Sequence, residues 1–336
     1  MSVAARWHYY RRIFRAYLGP GRSQLTFWHE VPEANPRATT NRLGEYYMPF
    51  REKADYAGHY DATGIPMLDY RGAIGLQYNP IAIAQWGLGN YNRLSETGDE
   101  SRWRKTLQAA DWLVANLQQN AHGLWVWNHH FDWEYRDTLK APWYSGLAQG
   151  QGISLLLRAH AHSRSHSEAE KYRYQSAAEK AFVTLTRPIT DGGVLFEDVS
   201  EDNDKNLWIE EYLVDPPTHI LNGFIWSLWG AFDFWLARGD AMAKEIFDRG
   251  VETLVRNLAR FDTGYWSLYE QSGTRLKMLA SPFYHQLHIV QLRVMFRLTG
   301  DARFAAVAER WQNYARRRSN RTRALVEKSI FKLLHY

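Results

Sequence analysis

A mainly all-α chain is predicted, an α/α toroid or barrel of about four helical hairpins with short β-strands at the cleft end. Three observations predict it. Thr97-Gly98-Asp99, Arg238-Gly239-Asp240 and Thr299-Gly300-Asp301 each split a long helical pattern in two, with Asp placed to cap the second helix. Pro80, Pro142, Pro217 and Pro282 stand upstream of successive turns, 62, 75 and 65 residues apart, and are expected to open the first helix of each hairpin. After three of the hairpins comes a glycine followed by alternating apolar residues: Gly123–Trp127, Gly192–Phe196 and Gly264–Tyr269. These read as short strands. A period of this size, with helix, turn, helix and strand in each unit, is the mark of stacked hairpins.

Along the chain, one catalytic domain is expected over 1–336. Residues 1–18 form a basic aromatic helix, Arg6-Trp-His-Tyr-Tyr-Arg-Arg-Ile-Phe-Arg15, expected to pack across the toroid, with a membrane surface as its lesser alternative. Residues 19–78, rich in Pro, Gly and Tyr, line one edge of the cleft through short strands or turns. The hairpins occupy 79–315; Ser163–Ser167 replaces the glycine turn in the second. A basic helix with Arg316, Arg317, Arg318, Arg321 and Arg323 ends the chain over 316–336. It reads as a solvated helix end.

Composition narrows the function. With 15 Trp, 20 Tyr and 15 Phe there are more rings than a core of this size needs, so some are expected to line a groove. Flat rings stack well on sugar faces. A net charge of +5 is modest for 336 residues, which argues against nucleic acid and suits an acidic polysaccharide. No cysteine is present, which excludes disulfides and thiolate metal sites. No segment has the pattern of a secretory leader or an apolar span, so a cytoplasmic location is expected.

Chemistry concentrates in Trp208-Ile-Glu-Glu-Tyr212 and the following Pro217-Thr-His-Ile-Leu-Asn-Gly-Phe224. Tyr269 and Tyr284 stand in the next repeat. A carboxyl group with phenols is suited to moving a proton on and off carbon. Other constellations are weaker. His129, His130 and Asp132 are too close in sequence to converge on one zinc ion. The acidic run Glu197-Asp198, Glu201-Asp202, Asp204 lacks a calcium-loop pattern. The glycines Gly146, Gly150 and Gly152 fall within a helical pattern, so no cofactor and no metal are expected.

Several runs resemble the C-terminal catalytic domain of the D-glucuronyl C5-epimerases. They are Tyr78–Leu88 with Tyr91, Trp143–Ser154, Glu210-Glu-Tyr212, Leu221–Phe224, Phe261–Gly264 with Tyr269, and Tyr284-His285 with His288 and Gln291. The chain is similar to a short, bacterial-type member without the β-rich domains that precede this region in animal members. The resemblance implies conversion of D-glucuronic to L-iduronic acid in a heparosan-like chain. It implies Glu211, Tyr212, Tyr269 and Tyr284 as catalytic residues, with Glu211 and Tyr284 exchanging the roles of base and acid. Candidate substrate contacts are Asn222, Gln85, Trp143, Tyr144, Gln149, His285 and Arg275. His285 and His288 are expected to lend Tyr284 positive charge. The animal enzymes carry an arginine where this chain has Ser272, and Arg275 is the nearest replacement. A polysaccharide lyase uses the same first step, and a glycoside hydrolase would pair Glu211 with Asp262 or Glu270; both stand as alternatives. A homodimer is left open.

Overall fold

In the computed structural model, residues 30–70, 72–162, 168–199 and 203–335 are described. The basic N-terminal segment, the Ser163–Ser167 turn and Glu201-Asp202 of the acidic run lie outside them. The fold is all-α, of the α/α-hairpin class that the repeat predicts, with short strands between hairpins. Helices α1 (Pro80–Thr97) and α2 (Glu100–Ala115) form the first hairpin, α3 (Gly146–His162) and α4 (Glu168–Leu185) the second. Helices α5 (Leu221–Arg238) and α6 (Ala241–Asn257) form the third, α7 (Pro282–Thr299) and α8 (Ala302–Arg316) the fourth, followed by α9 (Arg318–His335). Two compact units result, one over Asn35–Leu254 and one built on Val255–Tyr336.

The glycine turns behave as the sequence predicts. Gly98, Gly239 and Gly300 end their helices with φ of 67°, 66° and 73°, where a side chain would be strained. Asp99, Asp240 and Asp301 then accept a backbone N–H from Ser101, Ala243 and Arg303.

The prolines divide into two kinds. Pro80 and Pro282 open α1 and α7, beside the caps Asn79 and Ser281. Pro142 and Pro217 do not open helices, contrary to expectation. Trp143 instead pairs in extended form with His129, exchanging backbone hydrogen bonds of 2.7 and 3.1 Å, and the helix waits for Ser145, whose Oγ caps Ala148. After Pro217, His219 takes φ +51°, which breaks any helical path before Leu221.

Strands β1 (His59–Tyr60), β2 (Pro66–Asp69) and β3 (Leu76–Gln77) form a small antiparallel sheet ahead of α1. Strand β4 (Leu117–Gln119) pairs with β5 (Trp125–Trp127), and β6 (Leu195–Val199) with β7 (Lys205–Ile209). The third expected strand, Gly264–Tyr269, is only a set of bridges, Asp262 to Ser267 and Leu268 to Leu279. Gly264 at φ +83° turns the chain too tightly there for a ladder.

In the Asn35–Leu254 unit, α3 packs against both α1 and α5. All three are buried nearly all round for most of their length, whereas α2 buries a single stripe of Trp103, Thr106, Ala109, Ala110 and Leu113. Glycine permits the contact between α3 and α5. A Cβ on Gly230 would lie 2.4 Å from the Cα of Gly150, and one on Gly150 would lie 2.7 Å from the Cα of Ser227. A buried ion pair fixes the same helices: Arg158 donates to Asp233 at 2.6 and 3.2 Å, and Tyr47 donates to that carboxylate at 2.7 Å. Arg158 also donates to the Gly44 carbonyl, which ties the loop before α1 to the core. Among the described residues, no helix is long and apolar enough to cross a membrane.

Gly230→Ala should lower stability by about 3 kcal/mol, because backbone cannot yield as a side chain can. Gly250→Ala, whose methyl would first meet the Leu228 side chain, should cost less. Denaturant unfolding of the two variants beside the parent measures the difference; equal costs would contradict a backbone contact.

Candidate functional site

Strand β7 delivers the two glutamates. The Glu210 N–H donates to the Val194 carbonyl at 2.9 Å, and the Glu210 carbonyl accepts from Gly146 N–H, the first residue of α3, at 2.9 Å. The chain then turns Glu211 against the first turn of α5. Gly223 leaves room for it: a Cβ there would stand 2.2 Å from Glu211 Oε2. Asn222 Nδ2 donates to the same oxygen over a long 3.4 Å. The expected pair Glu211 and Asn222 is therefore in direct contact.

Glu211 is only 5% exposed. Burial pushes its carboxyl up to about 8, and the neighbouring Glu210 charge adds to the rise; hydrogen bonds from Tyr212 and Asn222 hold it back. A carboxyl group in that range can both donate and accept a proton near neutral pH.

Tyr212 sits in an aromatic frame. Its ring lies 4.6 Å from that of Tyr135 and meets Trp143 edge-on at 5.7 Å. Trp143 in turn stacks on the buried His129 at 3.8 Å and 5°. Beside this frame is a cleft of about 480 Å³, lined by 137–140, Pro142, Trp143 and Tyr144 on one side and 213–215 on the other. Its volume suits a sugar unit or two. Tyr144 holds the Gly192 carbonyl at 2.7 Å while its ring lines the cleft.

Other candidates are placed differently. Gln85 and Gln149 are fully buried. Gln85 accepts from Lys53 and donates to Gln151, while Gln149 bonds the backbone of Trp127, Trp125 and Ala181. Either would have to abandon these bonds to meet a substrate. They act as core struts.

In the Val255–Tyr336 unit, the rings of Tyr269 and Tyr284 meet edge-on at 4.8 Å, with Tyr269 buried and Tyr284 half-buried. The positive charge expected beside them is missing from both histidines. His285 stacks on Trp266 at 3.9 Å, accepts from Ser267 at Nδ1 and donates from Nε2 to the Trp311 carbonyl. Burial lowers its pKa to about 4, and burial drives that of His288 well below the usual range. Both rings are neutral and structural. Arg275 is exposed in the loop between Tyr269 and α7. Asp262 is held by Arg310 and by Trp311 Nε1, at 2.8 and 3.0 Å, which commits it to structure rather than to a hydrolytic pair.

Sequence reasoning assigned no role to His219 or Tyr135. His219 lies in the stretch singled out above, but nothing in one sequence shows that its ring turns back onto Glu210, 2.5 Å from Nδ1 to Oε1.

Residues 119–313 match the family described as D-glucuronyl C5-epimerase C-terminus, a span that contains Glu211, Tyr212, Asn222, Tyr269 and Tyr284. A D-glucuronyl C5-epimerase of Caenorhabditis elegans is 33% identical over 225 residues, 62% of this chain and 34% of that protein. An uncharacterised protein of Methanocaldococcus jannaschii is 25% identical over 206 residues, 61% of this chain and 63% of that protein. The matches thus cover less than two thirds of either relative. Among solved structures, a family 76 glycoside hydrolase from a bovine Bacteroides thetaiotaomicron strain aligns at TM-score 0.49 and 12% identity, over 75% of this chain and 50% of that one. An unsaturated glucuronyl hydrolase from Bacillus sp. GL1 aligns at TM-score 0.44 and 16% identity, over 70% and 61%.

The raised carboxyl has a consequence for stability. Between the ordinary 4.5 and about 8, folded Glu211 keeps a proton that the unfolded chain releases. Its contribution is intact below pH 4.5 and is lost as pH rises toward 8. Glu211→Gln should flatten the fall in unfolding free energy across that window, by on the order of a few kcal/mol. Urea titrations at several pH values test this; parallel curves for variant and parent would mean that Glu211 ionises normally.

Proposed function

Since the chain belongs to the D-glucuronyl C5-epimerase C-terminus family, we propose that it inverts C5 of uronic acid units within a polysaccharide, converting D-glucuronic to L-iduronic acid in a heparosan-like chain. The observation that carries this reading is Glu211, a buried carboxyl poised near neutrality whose neighbour Tyr212 meets the cleft residue Trp143 edge-on.

The C5 hydrogen of a uronate lies α to a carboxylate. Removing it generates an enolate carrying two charges, so donors must be aimed at that carboxylate before the proton leaves. Each preorganised donor is worth about 2.7–4 kcal/mol. Tyr212 and Tyr269 supply phenolic donors in this scheme, and Asn222 contributes its amide. Arg275 is the cation proposed for the substrate carboxylate, in place of the family arginine at whose position this chain has Ser272.

Inversion needs two proton carriers, one for each face of C5. Glu211 takes the proton in one direction and returns it in the other, while Tyr284 serves the second face. Because the reaction is reversible, the roles of base and acid exchange with direction, each worth about 10²–10⁴-fold. Trp143 and Tyr144 offer ring faces to the flanking sugars, where contact is apolar and tolerant of position.

The test is NMR of heparosan incubated with the protein in D₂O. Deuterium at C5, with iduronate signals and unchanged chain length, is the expected result. Glu211→Gln and Tyr284→Phe should each lower the exchange rate by about 10²–10⁴-fold. Unsaturated chain ends would make the protein a lyase. Absence of exchange from every uronic acid polymer tried would overturn the proposal.

A further inference from the structure

Glu210 and Glu211 are consecutive and both buried, at 0% and 5% exposure. Two carboxyl groups so close cannot both ionise freely, and their surroundings decide which one holds the charge. The hydrogen bonds are unequal. Glu210 receives two donors from one residue: His219 Nδ1 at 2.5 Å on Oε1 and the His219 backbone N–H at 3.1 Å on Oε2. With Glu210 carrying the negative charge, that ring nitrogen is the donor. Glu211 has the Tyr212 phenol and the long 3.4 Å bond from Asn222.

His219 reaches this position in a left-handed conformation, φ +51°, which a residue with a side chain adopts at a cost. The strained turn aims main chain and ring at the same carboxylate. Trp208 holds the ring from one face, stacked at 4.2 Å and 16°, with Phe196 5.8 Å away. The titratable groups facing His219 are Glu210 and, from β6, Asp198, whose Oδ2 is 3.9 Å from Nε2. Asp198 itself accepts a hydrogen bond from Asn206 at 2.8 Å.

We propose that Glu210 and His219 are positioning residues that hold the negative charge of the carboxylate pair on Glu210, leaving Glu211 as the member that takes up and releases the proton. This rests on Glu211 being a proton carrier of the reaction proposed above. The histidine works through hydrogen bonds to Glu210, and Glu210 works through its field on Glu211. Neither needs to touch the substrate.

The measurement is a titration of the whole protein labelled with [5-¹³C]glutamate, with the Glu211 signal identified by its loss in Glu211→Gln. In the parent it should titrate near 8. Glu210→Gln removes the neighbouring charge and should weaken proton binding at Glu211 about tenfold or more, a shift of a unit. His219→Ala removes the ring donor that favours the charge on Glu210 and should lower the Glu211 midpoint. His219→Asn keeps a neutral donor and tolerates positive φ, so it should stay close to the parent and guards against a variant that fails to fold. A Glu211 titration unmoved in folded Glu210→Gln and His219→Ala overturns the proposal.

The pH profile of C5 deuterium exchange on heparosan, run on the same variants, should move with the NMR midpoint. A purely structural pair would lower the rate without moving the profile. Shifted titrations in a protein that never exchanges deuterium would leave the charge arrangement standing and overturn the epimerase reading. Exchange with unshifted titrations would do the reverse.

Discussion

The close approach of α3 and α5 is the constraint on which the site depends. Gly150 and Gly230 let the two backbones touch, and Gly146 and Gly223 continue the same gap toward the start of both helices. Into its open end come the last residues of β7. A Cβ on Gly146 would strike Ile209 and the Glu210 carbonyl, and one on Gly223 would strike Glu211. The glycines that allow the helices to pack thus also seat the two glutamates. Larger residues would first push Glu211 toward solvent, where its carboxyl would ionise as usual.

Electrostatics in this unit follows one pattern, in which each buried charge is answered by a fixed partner. Arg158 and Asp233 are both almost fully buried and bonded to each other, with Ser154, Gly44 and Tyr47 occupying the remaining valences. Such a pair adds little net stability against an apolar alternative, yet breaking it leaves a bare charge in the core. It therefore fixes geometry more than it lowers energy. Glu210 and His219 repeat the pattern at the site. Glu211 is the exception, its carboxyl raised by burial and the neighbouring charge despite donors from Tyr212 and Asn222, and a carboxyl in that state is ready for proton transfer.

Much of the fold was legible because the signals were local. A glycine at φ near 70° followed by a capping aspartate decides its turn within four residues, so three hairpin turns could be placed from Gly98, Gly239 and Gly300. Proline was a poorer guide. It fits the first turn of a helix but also any extended segment, and Trp143 and His219 settled the matter through contacts distant in sequence. The motifs pointed to Glu211 with Asn222 and to Tyr269 with Tyr284, and each pair is in contact, whereas the states of His285 and His288 could not be read from them. A histidine on a helix reads alike whether it faces a cleft or, as here, lies among Trp266, Trp311 and Ser267.

The aromatic content resolves into two populations with different work. Trp86, Trp127, Trp208, Trp229, Trp266 and Trp311 are fully buried, and Trp127 donates its indole N–H to the Leu113 carbonyl and Trp266 to that of Ala280. Trp143, Tyr144 and Tyr212 stand at or beside the cleft. At that cleft Lys140 pairs with Asp132, and Arg136 with Asp137. A sugar chain held there, as proposed above, would meet the rings of Trp143 and Tyr144. In the proposed reaction charge grows on the substrate as the proton leaves. Phenols and amides can strengthen their hydrogen bonds to a developing enolate, adding to what a cation on the carboxylate already contributes in the ground state.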